Sequence, residues 1–267
     1  MHESITLKSL QGKLRLKMLD LYKMANAGHI GCSLSCIDIL IASLILRKIE
    51  SDDFILSKGH AAGALYVCLN YKGELTDEQL MTYYKNGTSL PAHPAAGKHA
   101  GIPFATGSLG HGLPIGCGIA KANKMKKTDG YVYVVMSDGE TNEGTTWEAS
   151  HFAITHKLDN LIAIIDRNGI QGFGNTKNIL GDTAAPDLWK NLGYDMREVE
   201  GHDVTKIVET IDELKGLKNG RPKLIIANTI KGKGVSFMEN EMAWHYLPMN
   251  GEQFEKAKLE IEKNYLS

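Results

Sequence analysis

Four cysteines in 267 residues are too few for a disulfide framework. Cys32 and Cys36 stand four apart, but no second Cys/His pair completes a zinc site. With Cys68 and Cys117 they are expected to be free thiols of a cytoplasmic protein. An excess of charge of one sign is also missing. The 30 Lys and Arg residues nearly balance 31 Asp and Glu, which leaves no field to draw in nucleic acid or an anionic membrane. The longest apolar run, Ile37 to Leu46, is broken by Asp38 and Ser43 and falls short of the roughly 20 residues that span a bilayer. Met1-His2-Glu3-Ser4 has no basic segment leading into an apolar core, so no signal peptide is read there. There is no internal repeat, low-complexity tract or linker. Residues 1–267 are therefore expected to form a single domain, and a hydrophobic content of 43% is enough for a substantial core.

What is present is alternation. Apolar positions at steps of three and four (Leu7, Leu10, Leu14, Met18, Leu21, Met24) predict an amphipathic helix over 5–26. Further helices are expected at 35–47, 61–69, 76–84, 109–124, 145–157, 187–193, 203–217 and 251–266. Thr76 and Gln79 form a capping box. Strands are expected at 54–56, 131–136, 161–165, 194–199 and 223–230, separated by loops at 86–107, 169–185 and 240–248. Gly112, Gly116 and Ala120, spaced by four, predict close packing of another element on that helix face. Strands alternating with helices define an α/β fold with a doubly wound, mostly parallel sheet and helices on both faces.

The chemistry concentrates where strands end. Tyr131 to Met136 runs into Ser137-Asp138-Gly139-Glu140, and Leu161 to Ile165 runs into Asp166-Arg167-Asn168-Gly169-Ile170. If both runs are parallel strands joined by a crossover helix, Asp138 and Asn168 share one sheet edge, where ligands bind in open α/β folds. A carboxylate, an amide oxygen and a nearby backbone carbonyl are hard ligands. They suit a magnesium ion also held by phosphate oxygens. Gly139 lets the backbone approach such a phosphate. An isolated Asp-Gly or Asn-Gly is ordinary turn chemistry, and the paired placement is what raises these two above it.

Five histidines have suggestive contexts. His29 lies between glycines, His60 closes Ser57-Lys58-Gly59-His60 after a strand, and His93 precedes Pro94 in a long loop. His111 opens the glycine-rich helix and His245 follows Trp244. Imidazoles can bind hydroxyls, phosphate or a carbonyl oxygen that gains charge. His2, His99, His151 and His156 have no such context and are expected to face solvent. Thr106-Gly107-Ser108-Leu109-Gly110-His111-Gly112 is a glycine-rich turn opening a helix, a place that favours anions. It lacks the lysine of a P-loop and does not follow a strand.

Ser57-Lys58-Gly59-His60, the run from Thr106 to Gly112, and Asp138-Gly139-Glu140 through Asn168 occur in this order in transketolases. From His29 to His245 the chain resembles the N-terminal, diphosphate-binding domain of those thiamine diphosphate enzymes. The resemblance implies that Asp138, Asn168 and the Ile170 carbonyl hold Mg2+, with Ca2+ or Mn2+ as substitutes. It implies that His60, Gly107, Leu109, Gly139, Glu140, Asn168 and His245 contact the cofactor. His29, His60, His93 and His245 are the implied catalytic residues, with His29 and His93 on the hydroxyls of a donor ketose. Glu143 and Glu148 resemble acidic residues near the family's subunit interface, although carboxylates in a helix's first turn need no such role. Three positions depart from the family pattern. Ser137 replaces a glycine, His111 replaces a glutamine, and alanines rather than an acidic residue follow His93-Pro94.

Transketolases continue for two further domains, of which the middle one binds the aminopyrimidine and supplies the glutamate that activates it. No acidic residue here has a matching context. The expected function is therefore half of a split transketolase, moving a two-carbon ketol unit from a ketose to an aldose, sugars or sugar phosphates. Its partner would be a C-terminal subunit with the pyrimidine-binding domain, with two copies of each chain. Two alternatives are the α subunit of a thiamine diphosphate-dependent 2-oxoacid dehydrogenase or decarboxylase, and a non-catalytic thiamine diphosphate-binding protein.

Overall fold

A computed structural model describes residues 6–267. The first five residues lie outside it, and with them the N-terminal reading, His2 and the expected helix start at residue 5. Helix α1 (Leu7–Ala25) is capped by Thr6, whose hydroxyl accepts from the Ser9 N–H at 3.2 Å, and ends on left-handed Asn26. Helix α2 (Ile30–Leu40) continues through a π-helical segment to Arg47. It begins five residues before the expected start. Every residue of α2 is buried, so it presents no polar stripe from which periodicity could place its first turn. The continuous helix Ile30–Arg47 is apolar and long enough to cross a membrane, yet it is packed inside the domain.

Strand β1 (Asp53–Leu56) is followed by α3 (Ala62–Tyr71) and α4 (Asp77–Leu80). The Thr76–Gln79 capping box forms, but α4 stops after one turn rather than reaching Tyr84, which adopts a left-handed φ of 61°. Next come α5 (Gly112–Lys126), β2 (Val132–Ser137), α6 (Gly144–Thr155) and β3 (Leu161–Arg167). The segment expected as a loop over 169–185 contains a small hairpin, β4 (Ile170–Gln171) with β5 (Gly174–Asn175), and helix α7 (Thr176–Leu180). The chain closes with α8 (Pro186–Leu192), β6 (Asp195–Glu200), α9 (Val204–Gly216), β7 (Lys223–Asn228) and α10 (Gly251–Ile261).

The main sheet has the order β1-β2-β3-β7-β6, and every neighbouring pair in it is parallel. Side chains alternate between its faces. Tyr133, Val135, Ile162, Ile164 and Ile225 point into a core with α1, α2, α3 and α9. Val132, Val134, Leu161, Ala163 and Leu224 point into a second core with α5, α6 and α8. Small residues bring α5 down onto the sheet. A Cβ on Gly116 would lie 2.5 Å from Val134, and one on Gly112 would lie 2.2 Å from the Ser57 hydroxyl.

A buried ionic cluster fastens the helical layer to the loops beyond the sheet. Arg15 grips Asp38 with two hydrogen bonds of 2.8 and 2.6 Å. His202, which sequence reasoning passed over, donates from Nδ1 to Asp38 at 2.8 Å and accepts the Ile230 N–H on Nε2. Burial alone would raise the Asp38 pKa. Arg15 and His202 reverse that and hold it at about 2.

Candidate functional site

Register brings the predicted residues together. Ser137 pairs with Asp166 across β2 and β3, so Asp138 and Asn168 leave the sheet side by side at its carboxyl edge. They line a cavity of about 230 Å³. Its floor is Ser137, Asp138, Gly139, Asn168 and Ile170, and its walls include His29, His60, His93, His245, Gly107 and Leu109.

Asp138 is buried, and Oδ2 accepts both of its hydrogen bonds, from the Gly169 N–H at 2.7 Å and from Thr176 at 3.1 Å. Burial, with the charge of Asp166 nearby, pushes its pKa up. A carboxylate kept in this condition is short of a cation. Asn168 is oriented by its surroundings. Its Nδ2 donates to Asp166 at 3.3 Å and to Ser35 at 3.4 Å, while Oδ1 accepts the Ile170 N–H. Behind it Asp166 forms a fully buried ion pair with Lys58 and accepts hydrogen bonds from Ser35 and Thr229. Burial raises the Asp166 pKa, but Lys58 more than offsets it and the net direction is down.

The third expected oxygen, the Ile170 carbonyl, accepts a hydrogen bond from Lys231 Nζ at 3.0 Å. One of its two lone pairs remains open. Lys231 is buried and also donates to His245 Nδ1 at 2.9 Å, which leaves the His245 proton on Nε2. Sequence reasoning did not single out this lysine. Its signal was the same as for Asp138 and Asn168, a polar residue just past a strand (β7) on the same edge.

The four histidines meet. His29 lies 5.2 Å from His245 and 5.8 Å from His93, centroid to centroid, and His60 stacks on His245 at 5.5 Å. His29 adopts a left-handed φ of 72° and donates its N–H to the His245 carbonyl. Burial lowers the His60 pKa to about 4 and, together with His29, lowers that of His93. His60 is therefore neutral at pH 7. Cys32, in the first turn of α2, lies 3.6 Å from His245 Nδ1. Burial opposes ionisation of this thiol, yet Lys231 and the surrounding imidazoles hold its pKa well below the ordinary thiol range.

Glu140 does not reach the cavity, contrary to the expectation that it contacts a cofactor. Its carboxylate is fully buried and accepts from Ser57, the Gly110 N–H at 3.1 Å and the Ser137 N–H at 2.9 Å. It ties the glycine-rich turn to the ends of β1 and β2. Glu140→Ala strands these donors without water. The expected loss in urea unfolding is about 3 kcal/mol, and Glu140→Gln, which keeps one acceptor, should lose clearly less. His111 also lies outside the cavity, with Nδ1 donating to the Leu109 carbonyl at 3.0 Å. Glu143 and Glu148 are exposed. All four cysteines are free and buried. The hairpin adds lining residues that sequence reasoning missed: Gln171, Gly172 and Phe173, with Tyr246 donating to the Gly172 carbonyl at 2.8 Å.

Residues 7–264 match the family described as transketolase, thiamine diphosphate binding domain. One apulose-4-phosphate transketolase subunit, from Phocaeicola vulgatus, is 39% identical, over 97% of this chain and 94% of its own length. The 6-deoxy-6-sulfo-D-fructose transketolase subunit SqwG of a Clostridium species is 36% identical over 98% of each chain. Human transketolase is 33% identical over 96% of this chain, which spans only 42% of the human protein. The crystal structure of Campylobacter jejuni transketolase superposes with a TM-score of 0.87 at 30% identity, over 98% of this chain and 43% of that one. A thiamine diphosphate-binding α/β fold is thus established, and the chain belongs to the transketolase family. It is the N-terminal part of a split transketolase, an enzyme of ketol transfer. The 2-oxoacid dehydrogenase and non-catalytic alternatives give way to these matches.

Proposed function

We propose that this chain works only with a second subunit that carries the pyrimidine-binding domain and its activating glutamate. The assembly would be a heterotetramer with two copies of each chain, acting in carbohydrate metabolism in the cytoplasm. The observation that carries this reading is the incompleteness of the cavity. At about 230 Å³ it is smaller than the roughly 300–1,000 Å³ of pockets that enclose a whole small ligand. Among the described residues Asp138 is its one lining carboxylate, and that residue belongs to the floor. Phe173 stands 88% exposed at the hairpin tip on the cavity rim, an apolar surface for a covering chain.

The floor fits Mg2+ bound to a diphosphate. Asp138, Asn168 Oδ1 and the Ile170 carbonyl are hard oxygen donors, and Ca2+ or Mn2+ could substitute. The donors also leave room for phosphate. Gly139 lines the floor, and a Cβ there would press on the Gln171 side chain at 3.2 Å. Thiamine diphosphate, when bound, supplies the carbon nucleophile that accepts and hands on the ketol unit. The chain's own residues do the rest. Asp138 offsets the metal's charge, and Lys231 lies within the same cavity to meet phosphate oxygens. His60, neutral at pH 7, can accept or donate a hydrogen bond to a hydroxyl. His29, His93 and His245 form a wall of imidazoles suited to a polyhydroxylated ketose donor.

The named relatives act on an apulose phosphate and a sulfonated deoxyfructose, both with a terminal anion. Among the described residues Lys231 is the one lysine or arginine lining this cavity, so recognition of such an anion would fall to the partner. The test is reconstitution. The chain and its partner, with Mg2+ and thiamine diphosphate, should transfer ketol units from ketose donors to aldehyde acceptors, while the chain alone should be inactive. Ketol transfer by the rigorously purified single chain would refute the need for a partner. Consumption of pyruvate without ketol transfer by the pair would refute the substrate class.

A further inference from the structure

We propose that His29, Cys32 and His245 form a second metal site, for a soft divalent cation such as zinc, separate from the oxygen donors on the cavity floor. One donor atom from each of the three residues lies within 4.8 Å of the other two. Cys32 Sγ and His245 Nδ1 are 3.6 Å apart. A tetrahedral zinc with bonds of about 2.3 Å to sulfur and about 2.0–2.1 Å to nitrogen holds its S and N ligands at about that separation. His29 Nδ1 is buried and has no hydrogen-bond partner, which is a costly state for an imidazole nitrogen unless something else binds there.

The backbone supports the arrangement. His29 and Cys32 are linked through the first turn of α2, where the Cys32 N–H donates to the His29 carbonyl at 3.2 Å. The His29 N–H donates to the His245 carbonyl at 3.2 Å. The donors are therefore set by two short main-chain contacts rather than by long flexible side chains. The opposing factor is Lys231, whose ammonium lies 2.9 Å from His245 Nδ1. It already donates to the Ile170 carbonyl as well, so it can leave His245 without losing its second acceptor.

The two sites differ in chemistry. Thiolate and imidazole select zinc-like metals, whereas the carboxylate, amide and carbonyl oxygens select magnesium-like ones. His29 and His245 also line the cavity proposed for the sugar donor, so a metal held between them would occlude it. The consequence is an inhibitory site that high Mg2+ does not protect.

The test uses the purified chain with no thiamine diphosphate and no partner, so its result is independent of the proposed activity. Co2+ is added in the presence of excess Mg2+, and both stoichiometry and the thiolate-to-cobalt charge-transfer absorption are recorded. The expected result is one Co2+ per chain with the charge-transfer band, displaced by Zn2+. Cys32→Ser should abolish the band and weaken binding at least tenfold. His29→Ala, at a partly exposed position, should weaken binding similarly and shift the cobalt d–d spectrum, and it keeps the test decisive should the serine variant not fold. Co2+ binding without a thiolate band overturns the proposal. So does a band that survives Cys32→Ser, or binding that Mg2+ displaces.

Discussion

Asp138→Asn should leave the unliganded protein at least as stable as the wild type while lowering its affinity for Mg2+ with thiamine diphosphate by about 100-fold or more. The two effects share one cause. Burial, together with Asp166, raises the Asp138 pKa above its unfolded value, so charging this carboxyl opposes folding at neutral pH. That penalty is relieved as pH falls through the folded pKa, and the amide removes it at every pH. Asparagine keeps an oxygen to accept from Gly169 or Thr176. It does not keep the charge that a divalent cation requires. Thermal unfolding with and without ligands separates the two effects. At 100 times the dissociation constant, ligands should stabilise the wild type by about 2.7 kcal/mol. The variant should show almost none of that shift under the same conditions. A variant that is less stable without ligand would show that Asp138 holds the floor together rather than straining it, and one that keeps the ligand-dependent shift would show that its charge does not hold the metal.

Asp166→Ala should be the most destabilising single change near the site, by about 3–5 kcal/mol, because it leaves the Lys58 ammonium buried without its partner. For a chain of this length that is a fall of roughly 10 °C in melting temperature. Replacing both members, Lys58→Met with Asp166→Leu, should recover much of the loss, since no unpaired charge remains. Neither variant should restore metal affinity. Asp166 is one of two acceptors of Asn168 Nδ2, and without it only the longer Ser35 contact and the Ile170 N–H on Oδ1 are left to fix which end of the amide faces the cavity. A double variant that recovers both stability and Mg2+ binding would separate the ion pair from the site. The pH dependence has the opposite sign to that of Asp138. Lys58 brings the Asp166 pKa below its unfolded value of about 3.9, so the pair's contribution is present above that pH and fades as pH falls toward the folded value.

The parts of the site legible in the sequence were those tied to strand ends. Apolar runs marked β2 and β3, and parallel pairing then placed Asp138 beside Asn168 with no further information. Lys231 follows β7 in the same way, but its place in the site shows only in the contacts it makes with Ile170 and His245. Glu140 shows the reverse error. It stands next to floor residues in sequence, yet a 3-10 turn over Asp138–Asn142 points its carboxylate away from the cavity, into hydrogen bonds with Ser57 and Gly110. Neighbours in a tight turn face different directions, and only the turn's geometry says which.

Although the β4–β5 hairpin and α7 escape it, the sequence carries the chain order of the main-sheet strands and their helices, the two-faced sheet and the edge at which chemistry collects. All of these follow from local periodicity and from the rule that parallel strands need crossovers. What meets across that edge follows from long-range packing. His29 and His245 are 216 positions apart, and the main-chain contact that joins them has no local signature. The same holds for Lys58 with Asp166, for His202 with Asp38 and for Cys32 with His245. Each pair is brought together by packing of the sheet and its helices, and its energetics depend on burial that no stretch of either partner's sequence encodes.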